Sequence, residues 1–427
     1  MRIAKVLLVL IVLAMPFAVT ARADEVSDWN RNLFEAARLN VPPTSPLAIS
    51  RNAAIVQSAV FDAINGIERR YTPIHVEPAA ARGASRRAAV VQAAYAVLVR
   101  LYPSQAAALL AKRDASIAAI TDGEDSDSRS IERGIAWGQE VADAIWAWRL
   151  TDGITPAPPA FLGGMNAGQW RPTPPGFLSG AGVQFAYMTP WVIAFPSQFR
   201  PAGPPALTSA RYATDYNETK TMGSLNSLIR TNDQTLYSRF WNASTANSFW
   251  NQIALTLADR DDLSLSKRAR LLALLNLAIA DAAIGCWDAK YTYVFWRPVT
   301  AIPLGNTDGN PATAEDLSFT SLLITPNHPE YPSGHSCLSG AAGRVLATTF
   351  GENSSFSVTS DAAEMAGVIR SYGSFSEILQ EIKNARVFAG IHFRSACDDG
   401  QELGVGVADY VEANALQRVH GNGGDGN

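Results

Sequence analysis

The eight residues PEYPSGHS, at positions 329–336, place a histidine directly after a Ser-Gly pair in a chain that has only five histidines. The apolar run that follows, SCLSGAAGRVLATTF, predicts a helix that begins near Ser333. Ser333 could cap this helix or donate its hydroxyl, Gly334 lets the backbone approach a ligand, and the free N–H groups of the first turn bind anions. His335 could then donate a proton to an oxygen of the bound anion. A capped helix with a structural histidine is the alternative.

A second stretch, KYTYVFWRP at 290–298, carries two cations. Lys290 and Arg297 are seven residues apart, so on one helix they would share a face and lie about 10 Å apart along the axis. Pro298 would end that helix at Arg297. The aromatic residues between the two cations make a poor solvent-facing surface, so the cations are expected to be partly buried and to need an anion. An ordinary solvated helix face is the alternative.

The third stretch, NARVFAGIHFRSACDDG at 384–400, holds Arg386 and His392. Six residues apart, they would not share a face of an unbroken helix. Gly390 between them predicts a bend or a helix start that brings both toward one centre.

Together, the three stretches supply three cations, a helix N-terminus and two imidazoles. This set suits a tetrahedral oxyanion with two or three charges. One imidazole would be free to attack or ligate the central atom, and the other would manage protons. Zinc would instead require closely spaced His, Cys, Asp or Glu ligands without a ring of cations. The sequence contains neither a G-x-S-x-G elbow nor a Walker A loop.

K-x6-R-P, P-S-G-H and R-x5-H, in this order, resemble the signature of the vanadium-dependent haloperoxidase and type 2 phosphatidic acid phosphatase superfamily, over about residues 280–400. The resemblance implies vanadate as cofactor, with phosphate able to occupy the same site. It implies the following residues as oxyanion-binding groups: Lys290, Arg297, Ser333, Gly334 and Arg386. In a haloperoxidase His392 would be the axial vanadium ligand and His335 the acid/base. In a phosphatase His392 would form a phosphohistidine and His335 would protonate the leaving alcohol.

Several features favour the haloperoxidase branch. The chain is large and helical and lacks the membrane spans of the lipid phosphatases. Trp287 stands where the haloperoxidase pattern carries a tryptophan, although ordinary core packing would also explain it. His328 occupies a position that the resemblance links to halide handling.

One position departs from the superfamily pattern. The final motif usually continues H-x-x-x-D, and the aspartate holds the second histidine in one tautomer. Position 396 is Ala in this chain, so Asp398 or Asp399 is expected to orient His392; Asp399 lies seven residues on, near the same helical face.

The motifs leave three functions open. The first is an exported haloperoxidase-like enzyme that oxidises halide with hydrogen peroxide to hypohalous acid, which can react with an organic acceptor. The second is an acid phosphatase acting on phosphate monoesters, and the third is a non-catalytic oxyanion binder. The sequence does not determine which halide or substrate is used, or the oligomeric state.

The elements that must position these residues are helices. Apolar residues recur at three- and four-residue spacing through most of the chain, and alternating strand patterns are scarce. The sequence predicts an all-α fold of helical bundles, with the site in the core of the C-terminal bundle as the resemblance implies. Helices are predicted at 45–70, 85–102, 104–120, 128–150, 212–231, 233–259, 264–295, 315–323, 334–350, 360–370, 375–391 and 400–416.

The predicted domain organisation has four parts. Residues 1–23 form a signal peptide, 24–208 an N-terminal helical region, 209–420 the superfamily-like region and 421–427 a tail. The N-terminal region ends in a Pro/Gly-rich stretch, 151–205, whose aromatic residues favour a loop packed on the protein over a disordered linker. This loop could shape the pocket entrance or simply pack on the surface.

Composition narrows the partners and the compartment. The net charge is only −4, so nothing indicates nucleic-acid binding. The basic start, apolar core and Ala21-Arg22-Ala23 pattern predict export to the periplasm or outside the cell, with an uncleaved membrane anchor as the alternative. The apolar stretch 269–289 contains charged residues, which favours a buried helix over a membrane span. The three cysteines are expected to be small buried side chains.

Overall fold

Helices dominate the computed structural model, which describes residues 24–121, 123 and 126–419. The α-helices of these residues are α1 (Glu25–Leu39), α2 (Pro46–Glu68), α3 (Arg86–Leu101), α4 (Ala106–Ala118), α5 (Ser128–Arg149), α6 (Ala210–Met222), α7 (Asn232–Ala243), α8 (Ala246–Arg260), α9 (Leu265–Tyr293), α10 (Pro298–Ala301), α11 (Gly334–Phe350), α12 (Phe375–Phe388) and α13 (Arg394–Asn414). Two short strands, β1 (Phe356–Thr359) and β2 (Ile369–Tyr372), pair antiparallel. The predicted all-α fold is confirmed.

The helix α9 is the central element of the fold. It is apolar on all sides, and it packs against α2 of the first half of the chain and against α11 and α13 of the second half. Among the described residues, α9 alone is long and apolar enough to span a membrane, but 94% of its most apolar window is buried inside the protein. This burial is typical of the core helix of a bundle.

Local sequence signals explain where many helices begin. Ser45 caps α2 by accepting a hydrogen bond from the Ala48 N–H, and Pro46 follows at the first helical position. Thr231 and Gln234 form a capping box at the start of α7. These groups satisfy backbone donors that would otherwise lack partners at the helix ends.

Most of the predicted helices are confirmed, with four corrections. The helix predicted at 212–231 ends at Met222, and the one predicted at 233–259 is divided in two by Ser244 and Thr245. The helices predicted at 315–323 and 360–370 are wrong. The first segment is irregular, and the second contains a short 3-10 helix and the start of β2. The helix α1 and the short α10 were not predicted.

The Pro-rich stretch 151–205 packs on the helical body as an ordered loop. The buried carboxylate of Asp281, on α9, accepts hydrogen bonds from the backbone N–H groups of Trp191, Val192 and Ile193 at 2.7, 2.8 and 3.0 Å. The Trp170 side chain is fully buried in the same loop. The prediction of a packed loop is therefore confirmed.

The cysteines are buried free thiols, as predicted: Cys286, Cys337 and Cys397. The predicted signal peptide (1–23) and tail (421–427) lie outside the described residues. The boundary between residues 208 and 209 stays a prediction.

Candidate oxyanion site

The helix α9 brings Lys290 to the site at its last turn. The helix ends at Tyr293, and Val294 follows in the left-handed conformation with φ 49°. The predicted single helix from Lys290 to Arg297 is therefore wrong. Arg297 instead precedes Pro298, which starts the short α10 where the prediction had it end a helix. The chain leaves the helix between the two cations, and both donate to backbone carbonyls of the same segment, residues 328–332.

The Lys290 ammonium group is fully buried. It donates hydrogen bonds to the backbone carbonyls of Pro329 (2.9 Å), Glu330 (3.1 Å) and Pro332. Burial lowers its pKa to about 8. Lys290 thus fixes the loop that carries the Ser-Gly-His sequence, and its predicted contact with an oxyanion requires the exchange of one of these hydrogen bonds.

The Arg297 guanidinium is also fully buried, and burial lowers its pKa to about 10. Its Nε donates to the His328 carbonyl at 2.9 Å, and one terminal nitrogen donates to the Ile391 carbonyl at 2.7 Å. That nitrogen lies 3.1 Å from His392 Nε2, and the other lies 3.0 Å from His328 Nδ1. Because arginine only donates, His392 Nε2 must accept. His328 Nδ1 also lies 3.2 Å from the Pro329 carbonyl, which only accepts, so its two contacts favour opposite tautomers. Arg297 therefore connects two of the predicted site histidines.

The ring of His392 is held between that arginine and a buried carboxylate. Its Nδ1 lies 2.9 Å from Oε1 of Glu330, and the same oxygen accepts the Phe393 N–H at 2.9 Å. Burial and the neighbouring cations Arg297, Lys290 and Arg386 lower the pKa of His392 well below its ordinary value. His392 is therefore a neutral imidazole whose Nε2 lone pair faces the cations.

The second stretch begins α11, as predicted. Ser333 occupies the N-cap position, but its hydroxyl makes no cap hydrogen bond and has no partner among the described residues, although it is fully buried. Gly334 is the first helical residue. His335 Nε2 lies 3.2 Å from the Trp241 carbonyl of α7, which can only accept, so Nε2 carries the proton and Nδ1 is free to accept one.

Arg386 is the least compensated cation of the site. It lies in the last turn of α12 and is 1% exposed. One terminal nitrogen donates to Asn242 Oδ1 at 3.3 Å, and its buried Nε has no partner among the described residues. Burial lowers its pKa to about 9. Gly390, with φ 76°, ends this segment and turns the chain toward His392, as the sequence predicted.

The charges of the site do not balance internally. In the described part of the chain, no carboxylate oxygen lies within 4.0 Å of a nitrogen of Lys290, Arg297 or Arg386. Glu330 is the buried carboxylate beside them, and its burial raises its pKa to about 8. Three buried cations thus face at most one negative charge, which is costly unless an anion binds. Together with the unpartnered Ser333 hydroxyl and Arg386 Nε, this excess fits a dianionic tetrahedral oxyanion such as vanadate or phosphate.

The Trp287 side chain forms one wall of the site. Its ring lies 5.0 Å from that of His328, and its centroid is 5.4 Å from the Lys290 ammonium nitrogen. A Cβ on Gly334 would lie 3.2 Å from the indole, so the two are in close contact. The indole N–H donates to the Ala181 carbonyl of the Pro-rich loop at 3.1 Å. The predicted pocket residues therefore lie next to the predicted oxyanion-binding groups.

The same loop and the first half of the chain complete this wall. A Cβ on Gly182 would lie 2.4 Å from Leu47 of α2 and 2.8 Å from the indole nitrogen of Trp287. Gly182 has φ 74°. The glycine therefore allows α2, the loop and α9 to meet at the side of the site, and loop 151–205 contributes to the wall.

Asp398 and Asp399 do not orient His392, so that expectation is wrong. Asp398 pairs with Lys383 at 3.0 Å. Asp399 accepts from the Tyr331 hydroxyl at 2.6 Å and from Arg211 at 3.1 Å. Both point away because α13 begins at Arg394 and directs them to other partners.

Sequence reasoning missed Glu330, which contacts the His392 ring in their place. The available signal was a lone acidic residue in the same short stretch as Ser333, Gly334 and His335. Beside a predicted anion site, a carboxylate is expected only if it has a specific partner.

Comparisons with known proteins agree with this geometry. The model of the VCPO second helical-bundle domain matches residues 270–421. The vanadium chloroperoxidase of Curvularia inaequalis is 28% identical over 262 residues, which are 45% of this chain and 42% of that protein. The chain thus spans less than half of the length of this curated relative.

Solved structures extend the similarity to nearly the whole chain. A crystal structure described as the first bacterial vanadium-dependent iodoperoxidase superposes with a TM-score of 0.79 and 26% identity, covering 93% of this chain and 98% of that one. The domain model, the curated relative and this structure together support the vanadium haloperoxidase superfamily as the family of this chain. A holo bacterial vanadium-dependent chloroperoxidase, 17% identical, superposes with a TM-score of 0.68 over 89% of this chain and 95% of its own, which shows the shared fold.

Proposed function

We propose that this superfamily member is an exported vanadate-dependent haloperoxidase-like enzyme that oxidises halide with hydrogen peroxide to hypohalous acid. The observation that carries the proposal is the neutral ring of His392, whose Nε2 lone pair accepts from the buried Arg297 at 3.1 Å, with Lys290 and Arg386 as further neighbouring cations. Ligation would exchange this hydrogen bond for a bond to the central atom of the oxyanion. An imidazole in this state can ligate the central atom of an oxyanion whose charge the cations neutralise. The similarity to the bacterial iodoperoxidase over nearly the whole chain supports this function over the alternatives.

The residues present fit vanadate. Arg386, Arg297 and the Ser333 hydroxyl would hold its oxygens, the first-turn N–H groups of α11 would add hydrogen bonds, and His392 Nε2 would ligate the metal. When bound, vanadate would supply an electrophilic centre that activates peroxide toward halide without a change in its own oxidation state. Lys290 would hold the α11 loop in place and add positive charge.

The proton transfer is assigned to His335. Its Nε2–H is engaged by the Trp241 carbonyl, which leaves Nδ1 as the accepting nitrogen. Burial and Arg386 lower the pKa of His335 well below its ordinary value, so the ring is neutral and can accept a proton from hydrogen peroxide.

The halide would approach along the Trp287 wall. His328 Nδ1 lies 3.0 Å from an Arg297 nitrogen, which donates, and 3.2 Å from the Pro329 carbonyl, which accepts, so the two contacts favour opposite tautomers. In the tautomer that accepts from Arg297, the Nε2–H can donate to a halide ion. The neighbouring indole supplies a large polarisable surface.

The decisive experiment compares two reactions of the purified protein. Bromination or iodination of a phenol dye is measured with vanadate and peroxide, and hydrolysis of an aryl phosphate is measured with the vanadium-free protein. Halogenation alone supports the proposal. Hydrolysis alone supports an acid phosphatase acting through a phosphohistidine on His392, and silence in both supports a non-catalytic oxyanion binder.

A matched pair of histidine variants provides the control. His392→Ala removes the proposed ligand and should abolish halogenation. His75→Ala removes a histidine that stacks on Trp148 outside the site and should leave it intact. Equal activity in the two variants would contradict the assignment.

Export is part of the same proposal and has its own test. Fractionation of expressing cells, followed by N-terminal sequencing of the mature protein, should place the protein outside the cytoplasm with Asp24 as its first residue. An intact N-terminus in the membrane fraction would indicate an uncleaved anchor.

A further inference from the structure

Glu330 combines features that a purely structural carboxylate would not need. It is fully buried, and both hydrogen bonds to its Oε1 come from the segment around His392: one from the ring Nδ1 and one from the Phe393 N–H, each at 2.9 Å. Its other oxygen, Oε2, is buried without a partner in the described part of the chain. The side chain is therefore aimed at the imidazole and at the backbone that carries it.

Two independent constraints fix the same tautomer of His392. The Arg297 guanidinium can only donate, so the Nε2 that lies 3.1 Å away must carry a lone pair. The neutral ring then has its proton on Nδ1, which is the nitrogen that faces Glu330. Without an acceptor at Nδ1, the ring would lose the partner that holds its lone pair toward the oxyanion site.

The position where the superfamily usually carries an aspartate is occupied by alanine in this chain. Four residues after His392 stands Ala396, which is fully buried in the first turn of α13 and whose carbonyl accepts the Ser333 N–H at 2.8 Å. A methyl group cannot accept a hydrogen bond from the ring. Glu330 reaches the same ring from a segment 62 residues earlier in the chain.

The backbone of Glu330 also links the other two motifs. Its carbonyl accepts from the Lys290 ammonium at 3.1 Å, and its N–H donates to the Phe295 carbonyl at 2.9 Å. Three residues later, Ser333 begins the helix start of the oxyanion site. Glu330 therefore contacts the Lys290–Pro298 motif and the Arg386–His392 motif, and it lies in the same segment as the Ser-Gly-His motif.

We propose that Glu330 is the positioning residue of His392, replacing the aspartate absent at Ala396 and holding the imidazole as its Nδ1–H tautomer with Nε2 toward the oxyanion. The part of this inference that concerns oxyanion affinity rests on the proposed function; the tautomer does not. Partners of this kind, behind a metal ligand, affect affinity by about 10- to 100-fold when removed.

The first test reads the tautomer without vanadate or activity. Protein labelled with 15N-histidine gives separate long-range 1H–15N patterns for the two neutral tautomers, and His392→Gln assigns the signal. The wild-type protein should show the Nδ1–H form. In Glu330→Met, which has similar bulk and no acceptor, Arg297 alone still favours this form, so the Nδ1 proton should remain but lose the downfield shift of a hydrogen bond to a carboxylate. An Nε2–H or charged ring in the wild-type protein, or an unchanged shift of the Nδ1 proton in a folded Glu330→Met protein, overturns the proposal.

The second test measures binding of vanadate and of inorganic phosphate by equilibrium dialysis. We expect about 10- to 100-fold weaker binding for Glu330→Met and a smaller loss for Glu330→Gln, whose amide oxygen still accepts. Adding Ala396→Asp to Glu330→Met should recover part of the affinity, because it returns a carboxylate to the superfamily position. Wild-type affinity in both Glu330 variants overturns the positioning role.

Asp62→Asn is the matched control. Asp62 is a fully buried carboxylate of α2 that accepts the N–H groups of Ile74, His75 and Val76, outside the site. This variant should keep both the tautomer and the affinity. If Glu330→Met does not fold, the tautomer of His392 in the wild-type protein and the anion affinity of Glu330→Gln still test the proposal. Absence of halide oxidation with the predicted tautomer intact would refute the proposed function alone.

Discussion

Replacing Arg386 by methionine should weaken anion binding while leaving the anion-free protein about as stable as before. The guanidinium is buried and has no carboxylate partner in the described structure, and its one side-chain acceptor, on Asn242, is exposed and can bond to water instead. Removing Arg386 therefore leaves no buried group without a partner, and it removes a charge whose burial is costly.

The expected loss in binding follows from the strength of hydrogen bonds to charged groups. One such bond contributes about 1.5–3 kcal/mol, which corresponds to roughly 10- to 150-fold in affinity. At a phosphate concentration of about 100 times the wild-type Kd, binding stabilises the wild-type protein by about 2.7 kcal/mol. A variant with about 100-fold weaker binding would gain only about 0.4 kcal/mol at that concentration.

The assay is thermal unfolding with and without phosphate or vanadate. Arg149→Met is the control, because Arg149 is equally buried but has a carboxylate partner: it lies 3.3 Å from Asp152, and its terminal nitrogens donate to the Thr189 and Pro190 carbonyls. Breaking such a buried pair costs about 3–5 kcal/mol, so this variant should lose stability but keep the anion-induced rise in Tm. The reasoning is refuted if Arg386→Met keeps the wild-type rise, or loses as much anion-free stability as Arg149→Met.

Three other substitutions test features around the site. Gly390→Ala should destabilise the protein by more than about 1–3 kcal/mol in urea unfolding, because the glycine has φ 76° and a Cβ would lie 2.3 Å from the Gly223 carbonyl oxygen. Burial raises the pKa of Asp62 to about 6, so the folded state holds this proton more tightly than the unfolded chain. Its contribution to stability falls as the pH rises from about 4 to about 6, and Asp62→Asn should remove that slope in urea titrations. Gly182→Ala should displace the Trp287 wall and change the ratio of KM values for iodide and bromide, while vanadate affinity is retained.

Each of these predictions has an outcome that would contradict it. Gly351→Ala controls for backbone strain alone, because Gly351 has φ 87° and a Cβ added there would have no atom within 4 Å; a loss as large as that of Gly390→Ala would refute the close-contact argument. An unchanged pH slope in Asp62→Asn would show that this carboxyl does not titrate between the two states. Unchanged KM ratios in Gly182→Ala would remove the loop from halide selection.

The charged residues of the site could be predicted because each motif is short and its chemistry is local. The structure brings together the residues that the sequence suggested: Lys290, Arg297, Arg386 and His392. The predicted path of the chain between Lys290 and Arg297 was wrong. A seven-residue spacing fits one helix, and only tertiary packing determines that the chain leaves the helix at Val294 and returns. The residue types predicted that these side chains would come together, but they did not predict the path of the chain between Lys290 and Arg297.

The group that contacts the ring of His392 could not be predicted from spacing. Helical periodicity relates residues within one element, so it favoured Asp399 on the face predicted for His392. Glu330 reaches the ring from another segment, and a contact of that kind depends on how three elements pack. The helix predicted at 360–370 was wrong for a related reason. A short strand such as β2 gains its stability from pairing with another strand, here β1, and not from its own sequence pattern.

The position of Asp281 on α9 has a geometric consequence for the Pro-rich loop. The helix that carries Trp287 and Lys290 near its C-terminal end also carries Asp281, about two turns earlier. Through Asp281 it accepts the backbone N–H groups of the loop residues Trp191, Val192 and Ile193. Any rotation or sliding of α9 would therefore move Lys290, the Trp287 indole and Asp281 together. One helix thus fixes the position of the Pro-rich loop relative to Lys290 and Trp287.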